Sequence, residues 1–224
     1  MKLNNKLNKL GTETAFAVSA EAKSWAKKGH KVFPFHLGDI NLKTPKNIRE
    51  ATTKFLNDNK NGYCPPEGIT ELRDALSHDV GSKRGVDYNI DNVVIQPGGK
   101  PTIWKFLATI MNDGDEVLYP NPGYPIYESQ ISYQGGIPIP YSYSETKSGF
   151  AIDIEKLRSS ITNKTTALIY NNYQNPLGAA SSKSEMEELA KIAIQNDLWV
   201  LSDDAYFEIR YTDEPPLSIV NIPG

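Results

Sequence analysis

Strand-like apolar runs alternate with helix-like segments after residue 92, and this alternation limits the possible folds more than any other feature of the chain. The runs are short and apolar, whereas the segments between them carry apolar residues at helical spacing. Strands are predicted at 93–95, 116–119, 137–141, 166–170 and 198–202. Helices are predicted over 100–111, 123–134, 153–160 and 182–196. Alternating units of this kind predict an α/β fold with a mostly parallel sheet and helices on both faces.

The part of the chain before residue 92 is predicted to be mainly helical. Its predicted elements are helices over 12–29, 46–58 and 67–84, an extended piece at 32–35 and a turn at Gly38-Asp39. At the other end, a strand-like piece at 207–211 follows the last predicted strand. A sheet that stopped there would expose an edge and a core face. We therefore expect the sheet to be incomplete at its C-terminal end.

Charge and composition argue against several classes of protein. The net charge of -3 argues against a dedicated nucleic-acid surface. The single cysteine, Cys64, excludes an intrachain disulfide framework and a cysteine-based metal cage. The N-terminal residues 1–10 lack the apolar core of a signal peptide, and no run is long enough to span a membrane. We expect a cytoplasmic protein that binds no metal, nucleic acid or membrane.

Two polar clusters directly follow predicted strands and are the first candidates for a binding site. Asn175-Pro176 follows the strand at 166–170, and Asp203 with Tyr206 follows the strand at 198–202. The carboxyl ends of strands in an open α/β sheet are where ligands bind. An amide, a carboxylate and a phenol delivered there could hold a polar aromatic cofactor. A cis Asn175-Pro176 bond would aim the Asn175 amide back over the sheet edge. Taken singly, however, Asn-Pro is also common in ordinary turns, and Asp at a strand end is often a helix N-cap.

Two earlier loops also follow strand-like runs. Gly98-Gly99-Lys100 opens a predicted helix, whose free amides favour an anion such as phosphate, although an ordinary βα turn also fits. The spacing matches neither a dinucleotide-binding fingerprint nor a P-loop. Tyr124, held between two prolines, offers a flat face for stacking or is simply a surface tyrosine. Together, these groups describe a pocket for a phosphorylated, cationic aromatic ring.

At this point the residues closely resemble a known family, the pyridoxal-phosphate-dependent aminotransferases of class I and II, which are aspartate-aminotransferase-like with fold type I. The resemblance runs from about residue 30 to the end of the chain. The motifs that carry it are Tyr63-Cys64-Pro65-Pro66-Glu67-Gly68, Gly98-Gly99-Lys100, Gly114-Asp115-Glu116-Val117, Pro120-Asn121-Pro122-Gly123-Tyr124, Asn175-Pro176-Leu177-Gly178 and Ser202-Asp203-Asp204-Ala205-Tyr206.

The resemblance implies pyridoxal 5'-phosphate as cofactor, amino acids and 2-oxo acids as substrates, and a homodimer with its active site at the subunit interface. It also implies an N-terminal arm and small-domain segment over 1–45, followed by a large cofactor-binding domain over 46–224. The reaction implied is the transfer of an amino group from an amino acid to a 2-oxo acid.

The resemblance also assigns roles by position. The cofactor phosphate would be bound by backbone amides of Gly99 and Lys100 and by Tyr63 of the neighbouring subunit. The pyridine ring would be stacked by Tyr124 and held at its nitrogen by Asp203. Its ring oxygen would accept hydrogen bonds from Asn175 and Tyr206. Gly38 and Asn175 would contact the substrate.

Four departures from the family pattern bear on these expectations. Leu177 replaces the usual threonine, and Asp204, expected to be a solvated neighbour of Asp203, replaces the usual glutamate. The segment 39–42 differs from the commonest form, which leaves the preferred substrate open. The last lysine is Lys191, so the Schiff-base lysine and the later substrate-binding arginine are expected beyond Gly224. The chain then holds no catalytic residue and reads as the N-terminal portion of the enzyme.

Two other functions remain open at this stage. A lyase or decarboxylase could use the same fold and cofactor, and residues beyond Gly224 would distinguish it from an aminotransferase. A protein with this fold could also bind the cofactor without catalysis, as an inactive or regulatory module.

Overall fold

The structure is a computed structural model, and the chain in it forms two compact units. One unit comprises residues 1–12 together with 70–224, and the other comprises residues 13–69. The predicted domain boundary after residue 45 stays a prediction. The residues that the structure describes are 2–11, 14–38, 42–147, 149–211, 213 and 217–223.

The helices and strands agree with most of the predicted ones to within a few residues. The α-helices are α1 (Thr14–Lys27), α2 (Lys46–Asn57), α3 (Thr70–Arg84), α4 (Gly99–Ile110), α5 (Ile126–Tyr133), α6 (Ile154–Ser159) and α7 (Lys183–Gln195). The strands are β1 (Glu116–Pro120), β2 (Ile137–Tyr141), β3 (Tyr143–Thr146), β4 (Gly149–Ile152), β5 (Thr165–Asn171) and β6 (Trp199–Asp203).

The smaller unit consists of α1, α2 and the segments around them. Gly29 follows α1 with a φ of 88°, a conformation that glycine adopts readily and that ends helices. Pro45 immediately precedes α2, where its fixed φ suits a helix start. Trp25 stacks on His30 with ring centroids 4.1 Å apart. None of the described side chains in this unit is buried.

A four-stranded parallel sheet forms the centre of the larger unit, with strand order β2-β1-β5-β6. Side chains on β1 and β5 alternate between two apolar clusters. Leu118, Leu168 and Tyr170 pack with residues of α6 and α7, whereas Val117 and Ile169 pack with residues of α4 and α5. Helices therefore cover both faces, and the predicted α/β fold with a mostly parallel sheet is confirmed.

Two local predictions were wrong, and one element was missed. Residues 93–95 form no strand, and the carbonyl oxygen of Val93 instead accepts a hydrogen bond from Arg73 Nε at 2.8 Å. Residues 207–211 also form no strand, because the chain turns and buries Phe207 under the guanidinium of Arg84 at 3.9 Å. The antiparallel hairpin of β3 and β4 was not predicted. Its strands are short and largely exposed, so they lack the apolar signal of the central strands.

Candidate active site

The carboxyl ends of β5 and β6 and the N-terminal ends of α4 and α5 border a cavity of about 690 Å³. Six of the predicted cofactor-binding residues line it, although they come from separate parts of the sequence: Gly99, Lys100, Tyr124, Asn175, Asp203 and Tyr206. The other lining residues are Pro97, Gly98, Pro101, Ile103, Tyr127, Asn171 and Ala205. The structure thus brings these six residues together around one cavity, and their individual roles remain predictions.

The start of α4 provides a place for an anion. Gly98 precedes the helix with a φ of 99°, which strains any residue with a Cβ atom. A Cβ atom added at Gly98 or Gly99 would meet no atom within 4 Å, so the space in front of this backbone is open. The first amides of a helix lack intrahelical acceptors and carry the positive end of the helix dipole. This end of the cavity is therefore suited to a phosphate group.

Tyr124 is presented by a tight turn between β1 and α5. A Cβ atom at Gly123 would collide with the carbonyl oxygen of Pro120, so the turn requires glycine there. The Tyr124 ring meets the ring of Tyr127 edge to face, with centroids 5.6 Å apart and planes at 87°. Edge-to-face packing is a favoured aromatic geometry, and it fixes the plane of Tyr124 at the cavity wall.

Asp203 ends β6 and lies directly beside Asn171, its register partner on β5. The Asn171 amide donates a hydrogen bond to the Asp203 carbonyl oxygen at 2.8 Å, which fixes the backbone. The carboxylate accepts hydrogen bonds from the Tyr127 hydroxyl at 2.6 Å and from the Ala205 backbone amide at 3.2 Å. These two donors hold the two carboxylate oxygens in one orientation. The cavity therefore has an oriented acidic group in its wall.

Tyr127 was not among the predicted site residues. Its side chain is fully buried, and burial followed by the negative charge of Asp203 raises the pKa of the Tyr127 phenol far above its usual range. The phenol is therefore a permanent donor at any physiological pH. In the sequence Tyr127 looks like one more apolar residue of α5. Its hydrogen-bond acceptor lies 76 residues away, so the local sequence could not predict that Tyr127 belongs to the site.

Asn175 lies in a turn that is fastened on several sides. Its backbone amide donates to Asn171 Oδ1 at 2.9 Å, and its bond to Pro176 is cis. The Gln174 side chain, only 2% exposed, accepts from the Leu177 amide at 2.9 Å and donates to the Pro122 carbonyl oxygen at 2.7 Å. The turn that carries Asn175 is thereby tied to the loop that carries Tyr124. Asn171 and Gln174 were also missed, although the polar run that begins at the last residue of β5 pointed to this end of the strand.

Asp204 is not the solvated neighbour that was expected. Its side chain is 16% exposed and accepts from Arg84 Nη2 at 2.8 Å, from Ser202 Oγ at 2.7 Å and from Ser218 Oγ at 3.3 Å. The expectation failed because Arg84 lies 120 residues earlier in the chain. Asp204 thus points away from solvent and connects the end of β6 to the end of α3.

Two predicted residues, Tyr63 and Gly38, belong to the smaller unit, where both are exposed. Their predicted contacts with a neighbouring subunit and with substrate stay predictions. Most of the atypical segment after Gly38, residues 39–41, lies outside the described residues. Throughout the described ranges, no cluster of three or more His, Cys, Asp or Glu side chains could hold a metal ion. The same ranges contain no helix with the length and apolarity needed to cross a membrane.

Comparison with known proteins identifies the family. The family described as Aminotransferase class I and II matches residues 31–222. The chain is 30% identical over 220 residues to an aspartate aminotransferase of Bacillus sp. strain YM-2, covering 98% of this chain and 56% of that protein. It is 32% identical over 225 residues to an asparagine–oxo-acid transaminase of Streptococcus mutans, covering 99% and 57% of the two chains.

Solved structures agree with this result. An aspartate aminotransferase from Thermus thermophilus, solved with maleate, superimposes with a TM-score of 0.92 at 28% identity, covering 99% of this chain and 58% of that one. An alanine aminotransferase from Pyrococcus furiosus gives 0.91 at 29% identity, with 98% and 56% covered. The chain belongs to the class I and II aminotransferase family and has fold type I. It spans about half the length of the curated relatives it matches.

The cofactor of this family is pyridoxal phosphate, and the residues around the cavity fit it. An open helix start suits its phosphate, an aromatic face suits its ring, and a hydrogen-bonded carboxylate suits a protonated ring nitrogen. These three features lie around one cavity.

Proposed function

We propose that the protein is a pyridoxal-phosphate-dependent aminotransferase that moves an amino group from an amino acid to a 2-oxo acid. The observation that carries the proposal is the joint placement of the α4 helix start and the Asp203 carboxylate in the wall of one cavity. An anion site and an acid on the same cavity fit a ligand with a phosphate at one end and a protonated nitrogen at the other. The names of the related proteins support the same reaction class.

Pyridoxal phosphate supplies an electron-accepting pyridine ring that stabilises negative charge at the α-carbon of the amino acid. Asp203 is proposed to accept a hydrogen bond from the protonated ring nitrogen, and a bond to a charged group contributes about 1.5–3 kcal/mol. This carboxylate keeps the positive charge on the ring, which strengthens the ring as an electron acceptor. Tyr124 is proposed to stack on the ring face, adding about 0.5–1.5 kcal/mol beyond burial.

The remaining predicted residues are proposed to orient the ligand. The backbone amides of Gly99 and Lys100 bind the phosphate, because they lie in the first turn of α4. Asn175 and Tyr206 hydrogen-bond the ring oxygen, and both line the cavity. In the described part of the chain, Lys100 is the one lysine lining the cavity, and its backbone is already assigned to the phosphate. We assign the α-carbon proton transfer to none of the lining residues.

Assembly and location are proposed from the family alone. The protein is proposed to be a cytoplasmic homodimer in which Tyr63 contacts the phosphate held by the partner subunit, while Gly38 and Asn175 contact the substrate. Sedimentation of the complete protein tests the assembly: a dimer is expected, and a monomer at micromolar concentration contradicts it.

The reaction is tested with the protein expressed from its complete coding sequence and loaded with pyridoxal phosphate. Single amino acids are each supplied with a 2-oxo acid, and both products are quantified by mass spectrometry. Equal amounts of the new 2-oxo acid and the new amino acid are expected for at least one pair. Release of carbon dioxide or an elimination product identifies a decarboxylase or lyase instead. Bound cofactor without any product indicates a binding module without transferase activity.

A further inference from the structure

The buried hydroxyl of Tyr127 lies beside the carboxylate that is proposed to bind the ring nitrogen. It is 2.6 Å from Oδ2 of Asp203, and the Tyr127 ring packs edge to face against Tyr124 at 5.6 Å. Tyr127 is 0% exposed, and its backbone amide donates to the Tyr124 carbonyl oxygen at 3.1 Å in the first turn of α5. One rigid side chain therefore contacts both the candidate stacking residue and the candidate ring-nitrogen ligand.

We propose that Tyr127 is a positioning residue that fixes the direction of the Asp203 carboxylate toward the nitrogen of a bound ring. The inference rests on the proposed function. A carboxylate that is held at only one oxygen can still rotate. In Asp203 both oxygens accept a hydrogen bond, Oδ2 from the Tyr127 hydroxyl and Oδ1 from the Ala205 backbone amide. The remaining lone pairs are then directed by the fold before any ligand enters.

The fixed direction matters because a charge-assisted hydrogen bond is strong only when donor and acceptor are aligned. Without the phenol, the Asp203 carboxylate is free to turn away from the nitrogen of a bound ring. The hydrogen bond that favours a protonated ring nitrogen is then weakened.

The test compares Tyr127→Phe with Tyr141→Phe in the complete protein. Both substitutions remove one buried hydroxyl, since Tyr141 is 1% exposed and donates to the Ile169 carbonyl oxygen at 3.0 Å. Tyr141 is outside the cavity lining. The phenylalanine keeps the edge-to-face packing on Tyr124, so the comparison isolates the hydroxyl. Cofactor affinity and the nitrogen-15 chemical shift of ring-labelled pyridoxal phosphate are measured in both variants and in the wild type.

Tyr127→Phe is expected to weaken cofactor affinity about 10- to 100-fold, the range for a hydrogen bond to a charged group. Its ring-nitrogen shift is expected to move toward that of unprotonated pyridine, whereas Tyr141→Phe matches the wild type. In an Asp203→Asn background, Tyr127→Phe is expected to have little further effect, because the carboxylate on which it acts is gone. A purely structural role gives additive losses in that double variant and no change in the nitrogen shift.

The outcomes separate the two proposals. If the wild type binds pyridoxal phosphate with a protonated nitrogen and Tyr127→Phe does the same at equal affinity, the positioning role is overturned and the proposed function stands. If the wild type does not bind pyridoxal phosphate, both are overturned. Circular dichroism of Tyr127→Phe and Tyr141→Phe checks that both variants keep the fold, so that their cofactor affinities and ring-nitrogen shifts can be compared.

Discussion

The guanidinium of Arg84, at the end of α3, donates to Oδ2 of Asp204 at 2.8 Å, one residue beyond the carboxylate that faces the cavity. The two side chains are 13% and 16% exposed, so water screens the pair only weakly. The Arg84 guanidinium also covers the ring of Phe207 at 3.9 Å. The backbone that positions Asp203 is thus fastened to a helix far away in sequence.

Arg84→Met is predicted to destabilise the protein by ~3 kcal/mol, because the largely buried Asp204 carboxylate loses its cationic partner. The methionine side chain can still pack on the ring of Phe207, so the loss reports mainly on the charge. Urea unfolding of the complete protein measures the change. Lys183→Met is the control, since Lys183 forms an exposed pair with Glu187 at 3.9 Å, and no measurable loss is expected there. Equal losses in the two variants would show that the Arg84 pair adds nothing specific.

Gln174→Leu is predicted to weaken cofactor binding about tenfold, equivalent to ~1.4 kcal/mol. The leucine cannot donate to the Pro122 carbonyl oxygen or accept from the Leu177 amide, so the turn of Asn175 is no longer tied to the loop of Tyr124. Cofactor titration followed by absorbance measures the affinity.

The matched control is Gln134→Leu, because the Gln134 side chain also donates to a backbone carbonyl, that of Trp104, but away from the cavity. The affinity of the Gln134→Leu protein for the cofactor is expected to equal that of the wild type. Unchanged affinity in Gln174→Leu would show that the two loops hold their positions independently.

Gly98→Ala is predicted to reduce affinity for pyridoxal phosphate more than affinity for pyridoxal without the phosphate. The Cβ atom strains a backbone with a φ of 99° and so moves the α4 helix start that faces the phosphate. Gly149→Ala introduces similar strain at a φ of 127° in the hairpin of β3 and β4, outside the cavity lining. Both variants are expected to lose stability, but only Gly98→Ala changes the ratio of the two affinities. An equal ratio of the two affinities in both variants would contradict the proposal that the start of α4 binds the cofactor phosphate.

Alkaline pH is predicted to destabilise the fold through its buried tyrosines. Burial, and then the charge of Glu128, raises the pKa of Tyr119 from 10.0 to about 12. The folded state therefore holds the Tyr119 proton between pH 10 and 12 while the unfolded state releases it. This contribution to stability is complete below pH 10 and is lost as the pH rises, at about 1.4 kcal/mol per pH unit.

Tyr119→Phe is expected to lessen this loss, measured as the free energy of unfolding at pH 9, 10 and 11. Tyr211→Phe serves as the control, because Tyr211 is fully exposed. A slope against pH that is identical in Tyr119→Phe and the wild type would contradict the prediction.

Much of the central fold was predictable because its signals are local. The runs that became β1, β5 and β6 are strongly apolar, and the ends of β5 and β6 indicated that Asn175 and Asp203 would line the same cavity. Residues 93–95 look similar in sequence, but a strand also needs a pairing partner, and Arg73 takes the Val93 carbonyl instead. The hairpin of β3 and β4 lies mostly in solvent and left little pattern to read.

The parts of the site that could not be predicted depend on contacts between distant residues. Tyr127 and Asp203 are 76 positions apart, and Arg84 and Asp204 are 120 positions apart. In both pairs the residue types are ordinary, and only the packing of α3 and α5 against the end of β6 gives them a partner. A sequence rule based on strand ends finds the carboxylate but cannot find the groups that orient it.

The proposed reaction depends on the contact between Asp203 and the ring nitrogen, and the turnover number of an Asp203 variant reports on that contact. The transamination rate of Asp203→Ala is compared with that of Asp87→Ala, an exposed aspartate outside the cavity lining, in the complete protein saturated with pyridoxal phosphate. Asp203→Ala is predicted to lose at least about 100-fold in kcat, the scale seen when a preorganised electrostatic group is removed, while Asp87→Ala retains full activity. A kcat for Asp203→Ala near that of the wild type would contradict the proposed role of Asp203.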